Sequence, residues 1–258
     1  MKKTLGIFAI ILLNACGSGD EKPTFSLNDL NLRQYQAGDT LTYSISISGS
    51  ANLGTMETRW LPSTLNIPQN VGGDLSGGLL MSSEIKGGGS NTQFIEKHFL
   101  QDAQGSLKIF AFDADNGATL WMAPKTGKEI PNTTVTMGET WITSPINESS
   151  SNTYTYDVHA CRSETDCELL GQAEYKLQYL GIESKETEYA TFESVLFDYS
   201  FHFLTGFNFT PVSLTISDSN ISGRMWIYPP IGVVMDAFSI NEKSYIAALN
   251  NTSISVPR

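Results

Sequence analysis

The histidine, serine and glycine residues of this chain do not form a recognised catalytic motif. The three histidines, His98, His159 and His202, stand far apart and form neither an H-x-H nor an H-E-x-x-H pair. The chain also lacks a G-x-S-x-G nucleophile elbow, a phosphate-binding loop and a dinucleotide-binding glycine pattern. We therefore predict no catalytic residues, no cofactor and a protein that is not an enzyme.

Acidic side chains leave one catalytic alternative open. The carboxylate pairs of glycosidases are defined by their separation in the fold rather than in the sequence, and the chain has 27 acidic residues. Asp113, Asp115 and Gly117 resemble the start of a calcium loop, but Pro124 replaces the acidic ligand expected at position twelve. A hairpin turn explains these residues better, so we predict no metal site.

Cys16 lies at the end of a segment that is typical of exported, membrane-anchored proteins. Lys2 and Lys3 precede a short apolar run, Gly6–Leu13, which is too short to span a bilayer. The next residues, Leu13-Asn14-Ala15-Cys16-Gly17, resemble a bacterial lipobox. The resemblance implies removal of residues 1–15 as a signal peptide, lipidation of Cys16 and a flexible tether over residues 16–24.

The same resemblance implies a location. Gly17, rather than an Asp, follows the lipidated cysteine, which implies transfer to the outer membrane. A protein carrying more than one acyl chain is stably anchored. We therefore expect a lipid anchor in the outer membrane, with the body at the periplasmic face or on the cell surface.

The other two cysteines, Cys161 and Cys167, are close together in the segment CRSETDC. Outside the cytoplasm such a pair most simply forms a disulfide. A metal site is the alternative, but two thiols without a neighbouring histidine or third cysteine make a poor zinc site.

Composition excludes several classes of protein. The 258 residues include 16 basic and 27 acidic side chains, giving a formal charge of −11. This charge argues against nucleic-acid binding, which needs clustered Lys and Arg. Only 17% of residues are charged, whereas 28 are serine and 24 are threonine. A folded, β-rich protein with a hydroxyl-covered surface fits this composition.

Apolar and polar residues alternate along most of the chain, which predicts strands that face a core on one side and water on the other. The clearest runs are 41–48, 153–160, 172–179, 195–203 and 212–216. We predict an all-β, mainly antiparallel body over residues 25–258, as a curved sheet, an open barrel or a two-lobed sandwich. Leu27, Leu30 and Arg33 have the spacing of one helical turn.

A short internal similarity suggests two related halves, 25–135 and 136–258. Gly38-Asp39-Thr40-Leu41 and Gly138-Glu139-Thr140-Trp141 both open alternating stretches. The alternative is that glycine followed by an acidic residue is a common way to turn into a strand.

Four segments resemble parts of uncharacterised β-rich secreted bacterial domains. They are the two Gly-acid openings at 38–39 and 138–139, the turn-like 189–192, and 226–234, an aromatic strand followed by a Pro-Gly turn and a Val-rich strand. The resemblance implies a β architecture and no particular activity.

Aromatic residues crowd into the last third of the chain. They either fill a β-core or line a pocket for an apolar ligand, and the candidate lining residues are Phe197, Tyr199, Phe201, Phe203, Trp226 and Tyr228. Our leading hypothesis is a non-catalytic lipoprotein that binds an envelope protein or another envelope component. The alternatives are a β-cup carrier of a lipid or other apolar ligand, and a hydrolase with acids assembled by the fold.

Overall fold

The computed structural model describes residues 22–47, 52–63, 78–87, 93–113, 119–124, 139–163, 166–203, 207–209, 214–216, 221–240 and 243–256. The predicted signal peptide, Cys16 and the calcium-like turn after Asp113 lie outside these ranges, and so does most of the predicted tether. No helix in these ranges is long and apolar enough to cross a membrane.

Strands make up most of the described chain. They are β1 (Thr24–Phe25), β2 (Thr40–Ile47), β3 (Asn52–Pro62), β4 (Leu79–Gly87), β5 (Gln93–Gln101), β6 (Leu107–Asp113), β7 (Thr119–Pro124), β8 (Glu139–Ile142), β9 (Asn152–Ser163), β10 (Asp166–Glu186), β11 (Thr191–Phe203), β12 (Phe207–Phe209), β13 (Leu214–Ile216), β14 (Ile221–Tyr228), β15 (Gly232–Ile240) and β16 (Lys243–Thr252). One turn of 3-10 helix, Glu148–Ser150, precedes β9.

Fourteen of these strands belong to one sheet. Its order is β1-β11-β10-β9-β7-β6-β5-β4-β3-β2-β16-β15-β14, and β8 pairs with β6. Because β14 also pairs with β11, twelve strands follow one another in a circular order of antiparallel pairs. β1 joins β11 in parallel, and β12 pairs with β13 in a separate small sheet. The predicted all-β, mainly antiparallel fold is confirmed.

The two predicted halves contribute strands to this same sheet. β2, from residues 25–135, pairs with β16, from residues 136–258. β7 pairs with β9 in the same way. Neighbouring strands in the sheet are therefore drawn from both halves of the sequence.

In most strands, apolar residues that face the core alternate with polar residues that face outward, and β2 is an example. Leu41, Tyr43 and Ile45 are buried, whereas the residues between them are half-buried. β11 departs from this pattern because both of its faces are covered. Val195 and Phe197 belong to one apolar cluster, and Leu196 belongs to another.

The chain before β2 covers one end of the sheet. Leu32 and Tyr35 are buried in it, and the Tyr35 ring stacks on Trp60 with 4.1 Å between centroids. The Tyr35 hydroxyl donates to the Ile231 carbonyl at 3.0 Å. Gly232 follows with φ +114°, and a Cβ there would collide with the Tyr35 hydroxyl. The segment thus seals the end of the core.

The helical turn expected at Leu27, Leu30 and Arg33 is wrong, because this segment has no helix. Its backbone groups pair instead with distant parts of the chain. The Arg33 amide donates to the Pro229 carbonyl at 3.1 Å, and the Leu30 carbonyl accepts from the Ile146 amide at 2.9 Å. Long-range hydrogen bonds therefore replace those of a helical turn.

Candidate functional site

A groove crosses the outward face of five neighbouring strands, β10, β11, β14, β15 and β16. It has a volume of about 530 Å³, and we call it the outer groove. Two rows of cross-strand partners form it, each with one residue per strand. The first row is Lys176, Ser200, Ser222, Ser239 and Ser244, and the second is Gln178, Asp198, Arg224, Ala237 and Ile246. Between them, a middle row of Tyr199, Gly223, Phe238 and Tyr245 also lines the groove, and alternation along each strand places these residues on the opposite face from the two rows.

The groove is concave because most side chains along its floor are short. Serine supplies four of the five residues of the first row. Gly223, between the two rows on β14, has no space for a side chain, because a Cβ there would lie 2.5 Å from the Ala237 carbonyl oxygen and 2.8 Å from the Phe238 Cα. The close approach of β14 and β15 thus depends on this glycine.

The floor carries hydroxyl, amide and charged groups beside the apolar side chains of Ala237 and Ile246, and its charges are balanced. The Ser239 and Ser244 hydroxyls are hydrogen-bonded at 2.9 Å. Arg224 Nε lies 3.5 Å from an Asp198 carboxylate oxygen, and Lys176 Nζ lies 2.9 Å from Glu174 Oε1. Each cation of the groove therefore has a carboxylate beside it.

A buried polar cluster lies behind the groove, on the inward face of the same strands. The Tyr199 hydroxyl lies 2.9 and 3.2 Å from the two Asp236 carboxylate oxygens, and donates to them. Lys97, on β5, acts electrostatically on Asp236. Since β4, β3, β2 and β16 separate β5 from β15 along the sheet, this interaction crosses the interior.

Burial governs the protonation of the cluster. It raises the pKa of Asp236 to about 6, although the Tyr199 hydrogen bond and the Lys97 charge oppose this rise. Burial likewise lowers the pKa of Lys97 and raises that of Tyr199, whose pKa the Asp236 charge raises further. In the described chain, the charged group that acts on Asp236 is a lysine and not a second carboxylate. The cluster is thus unlike the two-carboxylate arrangement of a glycosidase.

The structure divides the predicted pocket-lining residues between the two faces of the sheet. Phe197, Tyr199 and Phe201 share the inward face of β11, where Phe197 is fully buried. Trp226 pairs with Leu196 and therefore lies on the opposite face with Tyr228, in the other apolar cluster. The side chain of Phe203 lies outside the described residues. The described members of this set thus pack into two cores.

The histidines have separate surroundings. His98 is buried, with Nδ1 3.0 Å from the Ser63 hydroxyl. His159 is half-buried on β9, and burial lowers its pKa. His202 Nε2 lies 3.5 Å from Glu174 Oε1. Among the residues that the structure describes, no three His, Cys, Asp or Glu side chains converge as a metal site requires.

The backbone register places Cys161 directly opposite Cys167 in the β9–β10 pair. Directly opposed antiparallel residues have Cα atoms about 4.5–5.5 Å apart, within the range that a disulfide spans. The side chain of Cys167 lies outside the described residues, so the bond stays a prediction.

Sequence reasoning named Tyr199, but only as a candidate lining residue for an apolar ligand, and it missed the other main residues of both sites. The serine row draws one residue from each of four strands, and no spacing in the sequence marks it. Asp236 had a weak signal, since it interrupts the apolar stretch from Val233 to Ala237. No sequence feature marked Lys97 as a partner of Asp236, because the circular order of the strands is what brings β5 to face β15.

No family model matches this chain, and no curated protein matches it. Two solved structures resemble it with a TM-score of 0.43. One is a candidate exported protein of Bacteroides fragilis with a YmcC-like fold, at 11% identity over 86% of this chain and 99% of that one. The other is a candidate lipoprotein of Parabacteroides distasonis, at 9% identity over 88% and 99%.

The hypothetical lipoprotein YmcC of Escherichia coli resembles the chain with a TM-score of 0.35, at 7% identity over 84% of this chain and 89% of that one. With TM-scores below 0.5, these three proteins do not indicate what this chain binds.

Proposed function

We propose that this chain is a non-catalytic lipoprotein, anchored through Cys16 in the outer membrane, that binds an envelope component in the outer groove. The observation that carries this proposal is the groove itself. It joins a concave shape to a floor of hydroxyl, amide and charged groups supplied by five strands.

The aromatic residues favour this function over a carrier of apolar ligands. Phe25, Phe192 and Tyr228 pack on one another, with ring centroids 5.2–6.0 Å apart. Phe197 contacts Tyr179 in the other core. These rings fill space between strands, as core aromatics do, so they are not free to line a cup.

The buried acid favours binding over hydrolysis. Asp236 accepts from Tyr199 and faces the interior, whereas the groove lies on the other side of β15. A general acid must reach the proton that it transfers. The acid with the raised pKa is therefore separated from the groove by the sheet.

The start of the described chain fits a short tether. Lys22 Nζ lies 3.1 Å from Glu186 Oε1 and donates to the Thr187 carbonyl at 2.6 Å. Seven residues from Cys16 to Lys22 span at most about 25 Å when fully extended. A lipid on Cys16 would therefore hold the β10–β11 turn close to the bilayer.

Filling the groove tests the function. The full chain, purified from its own envelope after mild cross-linking, should carry a bound envelope component in stoichiometric amount. The Ser222→Trp variant should carry none, because the indole ring would fill the groove. Ser184→Trp is the matched control, because Ser184 is also an exposed serine but lies on β10 outside the groove. Circular dichroism and thermal unfolding check that both variants are folded.

Two results would contradict the proposal. One is a component retained equally by Ser222→Trp and Ser184→Trp, which would place the binding surface elsewhere. The other is recovery of the cross-linked wild-type chain without any component.

A further inference from the structure

We infer that the ligand of the outer groove is a neutral, polyhydroxylated chain, that is, an oligosaccharide. This inference rests on the proposed function and narrows it to one class of ligand.

The charges of the groove argue against an anionic ligand. Arg224 and Lys176 face Asp198 and Glu174 at 3.5 and 2.9 Å. A carboxylate beside each cation offsets the positive charge that would attract phosphate or sulfate. A polyanion would have to displace both carboxylates or lie beside them, so a ligand without net charge fits this surface better.

The backbone of the groove argues against an extended peptide. Peptides that bind to sheets add a strand at an exposed edge. Each of the five groove strands is already paired on both sides: β10 with β9 and β11, β14 with β11 and β15, and β16 with β15 and β2. The groove thus offers side chains, not a free strand edge.

The floor of the groove argues against an apolar ligand and suits a hydroxylated one. Ser200, Ser222, Ser239 and Ser244 supply hydroxyls that both donate and accept hydrogen bonds. An apolar ligand would remove these groups from water without replacing their hydrogen bonds, at a cost. A sugar hydroxyl replaces them with a group of the same kind.

The second row adds planar groups of fixed geometry. Asp198 accepts at two oxygens and Arg224 donates from a fork, while Gln178 does both. Such groups can contact two neighbouring hydroxyls of one sugar ring. Five strands about 4.8 Å apart make the floor about 19 Å long, a length that suits a chain of several sugar units.

The test uses the full chain in detergent and an array of neutral oligosaccharides four to eight units long, with dextran sulfate and polyphosphate as anionic probes. We expect binding to at least one neutral oligosaccharide, with affinity changing less than twofold between 50 and 500 mM NaCl. Ser222→Trp should abolish it, and Arg224→Lys, which keeps the charge and loses the fork, should weaken it about tenfold. Ser184→Trp should bind as the wild type does.

Binding to the anionic probes alone, with a steep salt dependence, would overturn the inference, and so would binding to none of the neutral oligosaccharides. A second measurement separates this failure from that of the proposed function. Acid hydrolysis and monosaccharide analysis of the captured envelope component should find neutral sugars. Groove-dependent capture of a component that contains no sugar would overturn the oligosaccharide and leave the proposed function standing, whereas capture insensitive to Ser222→Trp would remove both.

Discussion

Asp236 should make the stability of the body depend on pH. Its pKa is about 6 in the folded chain, against an ordinary value of 3.8. Between these values the folded state holds a proton that the unfolded state has lost, so stability falls as pH rises from about 4 to about 6 and then levels off. Two pKa units correspond to at most about 3 kcal/mol.

Asp236→Asn should remove this dependence, because an amide does not titrate. Urea unfolding of both proteins at pH 4.5 and 7.5 measures it, and the wild type should lose more stability between the two pH values. Asp198→Asn, at an exposed acid, is the control. A drop that persists unchanged in Asp236→Asn would show that another group causes it.

Cys161 and Cys167 should be bonded in the exported chain. Their direct opposition across β9 and β10 lets a disulfide form without moving the backbone. Closing a loop of about seven residues contributes roughly 2 kcal/mol in the chain-entropy model. Thiol titration of the denatured, unreduced protein should find no free sulfhydryl, and two reactive thiols would reopen the metal alternative.

Cys16 should carry the anchor. With Cys16→Ala, the lipobox loses the residue that receives the lipid, so the chain should remain unprocessed or become soluble. Membrane fractionation with mass spectrometry of the N-terminus measures this. A processed variant that still sediments with membranes would contradict the lipobox interpretation.

At the scale of elements, Gly223 sets the spacing of β14 and β15. Gly223→Val should destabilise the body by more than about 2 kcal/mol, because its side chain would press on backbone atoms of Ala237 and Phe238. Ser222→Val, one residue earlier and exposed, should change stability by about 0.5 kcal/mol or less. Equal urea midpoints for the two variants would show that β15 can move away at little cost.

The strands themselves are local features, and the sequence predicts many of them. Period-two runs correctly mark β2, β9, β10 and β11. The same is true of the hairpin of β6 and β7, whose register pairs Ala111 with Trp121. Which strands become neighbours is not local, so the pairing of β2 with β16 and of β11 with β14 could not be predicted.

Because strand pairing is not a local feature, the residues of the outer groove could not be predicted from the sequence either. Alternation correctly groups Phe197, Tyr199 and Phe201 on one face of β11, but only the register shows that Trp226 lies on the other. The outer groove needs four registers to be correct at once. A one-residue slip in any of them would turn part of the serine row inward.

At the scale of the whole molecule, the short tether should orient the body. Lys22 is held beside the β10–β11 turn by Glu186 and Thr187, so a lipid on Cys16 would bring that end to the bilayer. β10 runs from this turn to Asp166 at its other end. Ser184 and Glu168 are exposed residues near its two ends, sixteen positions and thus about 50 Å apart along the strand.

Energy transfer from a fluorophore on Ser184→Cys or Glu168→Cys to acceptor lipids in vesicles measures this orientation. Lipidated chain labelled at residue 184 should transfer efficiently, and chain labelled at residue 168 should transfer weakly, because its fluorophore stands far above the bilayer. Inserting twenty Gly-Ser residues after Gly19 is the control, since a long flexible linker should make the two efficiencies similar. Equal transfer with the native tether would mean that the body lies on its side, and stronger transfer from residue 168 would mean that the opposite end faces the membrane.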